Sequence, residues 1–153
     1  MSSNADLLRP SLTKGWKVTK TFDINRLFLV AFFGGAIPMM ILGTRNAKWL
    51  NVPKNTINLL LGAGMLIFIG ELALFHFYFS DFSVNGDRTP RYIMRALNII
   101  LFFFYRFALK KPFQQHLFTN NNEIQPLLKP AILWILIGGT IELALFGGIA
   151  VLL

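Results

Sequence analysis

The stretch INLLLGAGMLIFIGELALFHFYF, residues 57–79, decides the class of fold. Its 23 residues are almost all apolar, and Glu71 is the only Asp, Glu, Lys or Arg among them. A helix needs about 20 mainly apolar residues to cross the hydrocarbon core of a bilayer. We therefore predict that this stretch is a membrane-crossing helix.

Three further stretches extend this pattern along the chain. Residues 24–43 and 131–153 have similar length and little or no charge, whereas residues 92–109 carry Arg95 and Arg106 near their ends. The step between these arginines is only about 16 Å along a helix, so this stretch spans only if both side chains reach outward to water. We predict an all-α integral membrane protein, a four-helix transmembrane bundle built from two hairpins, with helices over 24–43, 57–79, 92–109 and 131–153.

The distribution of lysine and arginine leaves one alternative open. Four crossings divide the 15 basic residues almost evenly between the two sides, 8 against 7. If residues 92–109 lie in the interface instead, the division becomes 12 against 3, as the positive-inside rule expects. The alternative fold is therefore three crossings plus one interfacial helix, while segment length and an internal repeat favour four crossings.

Composition also restricts the partners. The hydrophobic fraction is 54% and the net charge is +8, but the charges mostly flank the apolar stretches. We interpret them as topology signals and contacts with anionic lipid headgroups, not as a nucleic-acid surface. Residues 1–23 form a basic N-terminal tail that either lies on the headgroups or has no structure, and residues 24–153 form the transmembrane bundle. We expect a multi-pass protein of a plasma or inner membrane in preference to an organelle.

A short internal repeat links two of the predicted crossings. Glu71 to Phe75 reads ELALF, and the same five residues recur from Glu142 to Phe146. A looser similarity relates residues 24–43 to residues 92–109. The repeat predicts two copies of a helical hairpin in the same orientation, with coincidence as the alternative because Leu, Ala and Phe are common in membranes.

Glu71 and Glu142 are the candidate sites for a cation or a proton. A carboxylate at bilayer depth costs about 2.5 to 3.5 kcal/mol on insertion scales, so its presence requires a reason. For Glu71 we expect a structural partner in Arg95, with Asn98 in support, because both approach the same depth on the third predicted helix.

Glu142 has no basic residue at its predicted depth. Gly138 and Gly139 lie one turn before it on the same helix face and leave room for a close helix, for water or for an ion. Glu142 is then either a neutral hydrogen-bonding strut or a proton or cation site. We expect it to be protonated much of the time.

No feature of the sequence favours an enzyme. The chain contains no cysteine and no common phosphate-binding, zinc-protease or hydrolase motif. We therefore predict no catalytic residue, no metal site and no cofactor. The leading hypothesis is a permease, an ion- or proton-handling unit, or a subunit of such an assembly, acting as a homo-oligomer or with other membrane subunits. The alternative is a non-catalytic structural or accessory subunit that stabilises a larger membrane complex.

Overall fold

The chain is all-helical in the residues that a computed structural model describes, which are 20–80, 89–119 and 124–152. Within these ranges there is no strand, only an isolated bridge between Phe22 and Gln125. The predicted all-α class is therefore confirmed. The five helices are α1 (Leu27–Gly34), α2 (Ala36–Trp49), α3 (Lys54–Ser80), α4 (Thr89–Thr119) and α5 (Leu128–Leu152).

Three of the helices are long and apolar enough to cross a membrane. The qualifying segments are Lys54–Phe77, Arg91–Phe118 and Leu128–Gly148, in α3, α4 and α5. They correspond to the second, third and fourth predicted crossings. The third helix runs well beyond the predicted residue 109, because α4 continues through Pro112 to Thr119. Its 31 residues give a length of roughly 46 Å, so Arg106 lies within the helix and not at its end.

The first predicted crossing, residues 24–43, is not one helix. It breaks after Gly34 into α1, with 8 residues, and α2, with 14. Laid end to end these helices would extend roughly 33 Å. Yet the Phe22 amide, just before α1, hydrogen-bonds the Asn46 side chain near the end of α2. The chain must therefore reverse at Gly35, and α1 and α2 form a hairpin. The continuous helix predicted over residues 24–43 is therefore wrong, and the predicted four-helix bundle is not confirmed.

A buried polar cluster joins the ends of the hairpin to the start of α5. The side chain of Asn46 has no solvent exposure, and its Oδ1 accepts hydrogen bonds from the Phe22 amide (2.8 Å) and the Thr21 hydroxyl (3.1 Å). The Gln125 amide donates to the Thr21 carbonyl at 2.8 Å. The starts of α1 and α5 and the end of α2 therefore meet at one end of the molecule.

The α1–α2 hairpin lies at the centre of the fold. α2 contacts all three long helices, α1 contacts α4 and α5, and α3 contacts both α4 and α5. Among the described residues α4 and α5 do not touch each other. The hairpin contributes several fully buried side chains, including Val30, Ala36, Met39 and Leu42. By contrast, α3 and α5 leave many large apolar side chains exposed, as lipid-facing helices do.

Basic residues concentrate at the end where α1, α3 and α5 begin, which we call the cationic end. The opposite end holds the end of α3 and the start of α4. Of the eleven lysines and arginines in the described ranges, only Arg91 and Arg95 belong to the opposite end. The other nine lie in the half of the molecule that ends there: Lys20, Arg26, Arg45, Lys48, Lys54, Arg106, Lys110, Lys111 and Lys129. The structure thus combines a strong charge bias with an α4 that is long enough to span a membrane. The segment that turns back is the first one, α1–α2, and not residues 92–109.

Candidate functional site

The turn of the central hairpin is built on a glycine. Gly35 has φ 80° and ψ −164°, a backbone conformation that is essentially restricted to glycine. Gly35 is the N-cap residue of α2, and as a glycine it has no side chain that could cap the helix. Pro38 has no amide hydrogen, so the free donors of the first turn are few and include the amide of Ile37. A helix N-terminus with free amides attracts an acceptor.

Glu142 of α5 provides that acceptor. The amide of Ile37 donates a hydrogen bond to its carboxyl group. The carboxyl group lies against Gly35 so closely that a Cβ at this position would come within 2.7 Å of Oε1. Gly138 allows this close approach of the hairpin to α5, because a Cβ on Gly138 would meet Pro38 Cγ at 2.5 Å. Glu142 thus caps α2 from a different helix.

The two glycines predicted to support Glu142 differ in role. Gly138 is buried and allows α5 to approach the first turn of α2. Gly139 is exposed, and a Cβ there would meet nothing within 4 Å. The space that the sequence analysis expected beside Glu142 is therefore filled on one side by Pro38 and open on the other.

Glu71 of α3 has an amide partner and not an arginine. Its side chain is only 3% exposed, and Asn98 Nδ2 of α4 donates to its Oε1 at 2.8 Å. Arg95 is exposed, with its guanidinium 5.5 Å from the centre of the Phe32 ring. The expected Glu71–Arg95 pair is thus corrected. Arg95 lies about one turn from Asn98 along α4, and its charge contacts an aromatic face while the smaller amide fills the buried position.

The repeated ELALF segments face each other across α3 and α5. The carboxyl group of Glu142 is close enough to that of Glu71 to interact with it electrostatically. One turn further along both helices, the rings of Phe75 and Phe146 lie 4.6 Å apart. The repeat therefore places two pairs of identical side chains at matching levels of α3 and α5. The first pair is Glu71 with Glu142, and the second is Phe75 with Phe146. Equivalence of the α1–α2 segment with α4 is not observed, because one is a hairpin and the other a continuous helix.

Two acceptor atoms in this region have no hydrogen-bond partner among the described residues. They are Glu142 Oε1 and Asn98 Oδ1, and both are buried. No lysine or arginine in the described ranges pairs with either glutamate. Buried acceptors without donors cost about 1–3 kcal/mol each, so the site favours an added proton or another donor. Since no group of three or more His, Cys, Asp or Glu occurs in the described chain, a multidentate metal site is not formed there.

Both glutamates and Asn98 could be singled out from the sequence, but the turn that faces Glu142 could not. Gly34, Gly35 and Pro38 all lie inside the first predicted crossing, and a reversal of the chain there leaves no periodic pattern in the sequence. The amide of Ile37 is a backbone group and has no sequence signature at all. Comparison with protein-family models, with curated proteins and with solved structures finds no match to this chain.

Proposed function

We propose that this protein crosses the membrane three times through α3, α4 and α5, and that the α1–α2 hairpin enters from the cationic end and returns to it. The positive-inside rule then places the cationic end in the cytoplasm. Non-helical backbone at membrane depth is tolerated where protein covers it, and α5 covers this turn through Glu142 against Gly35 and Gly138 against Pro38.

The function that this arrangement supports best is proton handling, as a small permease or as a unit of a larger one. The observation that carries the proposal is that Glu71 and Glu142 interact electrostatically across α3 and α5, while no lysine or arginine of the described residues pairs with either. Two carboxyl groups that interact electrostatically in an apolar region disfavour a double negative charge. A proton on either carboxyl group lowers that repulsion, so the titrations of the two groups are coupled.

The α1–α2 hairpin supplies a reason why this proton could be coupled to movement. The free amide of Ile37 favours a charged Glu142, because a helix N-terminus stabilises a negative charge by about 0.3–1 kcal/mol. A proton on Glu142 removes that attraction. The contact that holds the turn of the hairpin against α5 therefore changes in strength with the charge of the pair.

Proton flux into vesicles tests the proposal. The purified chain is reconstituted with a trapped pH-sensitive dye, and a potassium diffusion potential drives protons inward. We expect acidification faster than in protein-free vesicles, and a loss of this excess rate in both Glu71→Gln and Glu142→Gln. Asp23→Asn removes one carboxylate outside the site and should keep the rate. Wild-type flux at the protein-free rate, or full flux in Glu142→Gln, would contradict the proposal.

A second candidate function is a structural or accessory subunit of a membrane complex. The observation in its favour is that each glutamate already has a protein donor, Asn98 for Glu71 and the Ile37 amide for Glu142. In that case the glutamates serve to hold the hairpin in place. Glutamine variants would then lower thermal stability, and the wild-type chain would show no proton flux of its own.

A further inference from the structure

The surface between α2 and α3 at the cationic end holds an open cavity of about 420 Å³. The cavity has a polar mouth and an apolar wall. Its polar lining consists of Lys48, Asn51, Lys54 and Asn58, and its apolar lining consists of Val52, Ile57 and Leu61. Lys48 lies in the last turn of α2, and Lys54 is the first residue of α3. Two ammonium groups and two amides therefore surround the place where the two helices join.

A second cavity of about 440 Å³ adjoins the first and shares Lys48 and Leu61 with it. Its remaining lining is mostly apolar and follows the same two helices away from the cationic end: Ile37, Met40, Ile41, Thr44, Arg45 and Met65. Thr44 uses its hydroxyl in a hydrogen bond with Tyr105 at 3.0 Å. Arg45 lies over the ring of Trp49, with 4.7 Å between the guanidinium carbon and the ring centre. The polar groups of this second cavity are thus partly engaged within the protein.

We propose that the two cavities together bind one anionic phospholipid, with its phosphate between Lys48 and Lys54 and an acyl chain along the apolar groove. Charge and length both support this occupant. From Lys54 to Met65 the groove follows 11 residues of α3, or about 16 Å, and half of a hydrocarbon core of about 30 Å is about 15 Å. The groove therefore has the depth of one leaflet.

The position of the lysines separates this site from a general surface charge. Lys48 and Lys54 flank the short α2–α3 connection, in which Asn51 adopts φ 53° and Val52 is buried. Trp49 lies beside them at the level where aromatic side chains meet headgroups. Lys110 and Lys111, also on the cationic half, are exposed on α4 and line neither cavity. They provide a control pair with the same charge.

The test measures lipid binding by the full chain in an uncharged detergent. Phosphatidylglycerol and phosphatidylcholine with identical acyl chains are titrated, and the unfolding temperature and the number of retained lipids, by native mass spectrometry, are recorded. We expect a saturable rise in unfolding temperature and one retained lipid with phosphatidylglycerol only. Lys48→Gln with Lys54→Gln should weaken binding at least tenfold, whereas Lys110→Gln with Lys111→Gln should leave it unchanged.

A groove variant keeps the test decisive if the lysine pair affects folding. Met65 is 53% exposed, so Met65→Trp is expected to fold while its ring obstructs the acyl groove. This variant should also lose the retained lipid. Equal binding of phosphatidylcholine, equal weakening by the Lys110 and Lys111 control, or an equal stabilisation by glycerol phosphate without acyl chains would each overturn the proposal. Proton flux plays no part in these measurements, so they stand apart from the proposed function.

Discussion

Replacement of Gly35 by alanine is the most direct perturbation of the central hairpin. The φ of 80° places this residue in a region where a side chain costs about 1–3 kcal/mol. The new Cβ would also lie 2.7 Å from Glu142 Oε1, so the carboxyl group must move away from the amide of Ile37. A hydrogen bond to a charged group contributes about 1.5–3 kcal/mol, and part of that is lost.

The two effects together predict a loss of about 3 kcal/mol in the free energy of unfolding for Gly35→Ala. At about 2–4 °C per kcal/mol for a chain of this size, the unfolding temperature falls by roughly 6–12 °C. Thermal unfolding in mild detergent, followed by circular dichroism, measures this shift. Gly139→Ala is the matched control, because Gly139 is helical with open space around it and alanine favours a helix by about 1 kcal/mol. Equal unfolding temperatures for the two variants would refute the reasoning.

Two further predictions concern topology and the partner of Glu71. Because the chain has no cysteine, single cysteines introduced in place of Asn25 or Asn51 can be labelled with an impermeant maleimide. We expect both positions to react from the same side of the membrane. Labelling from opposite sides would instead mean that the first segment crosses the membrane. Asn98→Ala removes the donor to Glu71 and should lower the free energy of unfolding by about 1–3 kcal/mol. The control is Asn58→Ala, because Asn58 is exposed on α3, and its unfolding temperature should differ little from that of the wild type.

The long helices could be predicted because hydrophobic length is a local property. Residues 57–79 and 131–153 indicated their helices directly. Residues 92–109 were the doubtful stretch, owing to Arg95 and Arg106, yet α4 is the longest of the described helices. Its continuation through Pro112 to Thr119 lies beyond residue 109, where the predicted helix ends. Local hydropathy thus located the segments but not all of their ends.

The path of residues 24–43 could not be predicted from length. The stretch has enough apolar residues to span, and only a backbone reversal at Gly35 changes its topology. That reversal depends on long-range partners, namely the Asn46 amide for the two ends and Glu142 for the turn. The first contact joins residues that are 24 positions apart in the sequence, and the second joins residues more than 100 positions apart. Contacts over such separations leave no periodic pattern in the sequence.

The candidate site was predicted in part. The cost of buried charge singled out Glu71 and Glu142, and the repeat gave them related positions. The prediction that Arg95 pairs with Glu71 was wrong. It rested on opposite charge alone, whereas the short side chain of Asn98 can lie buried beside Glu71. The functional assignment of the pair stays a prediction.

The turn at Gly35 also bears on the order in which the protein assembles. The α1–α2 segment is synthesised before the group that covers its turn, because Glu142 lies 107 residues after Gly35 in the chain. Until α5 is in place, the free amide of Ile37 lacks its partner and is costly to bury in lipid. The turn of the hairpin can therefore reach its final packing only after α5 has been synthesised and lies beside it.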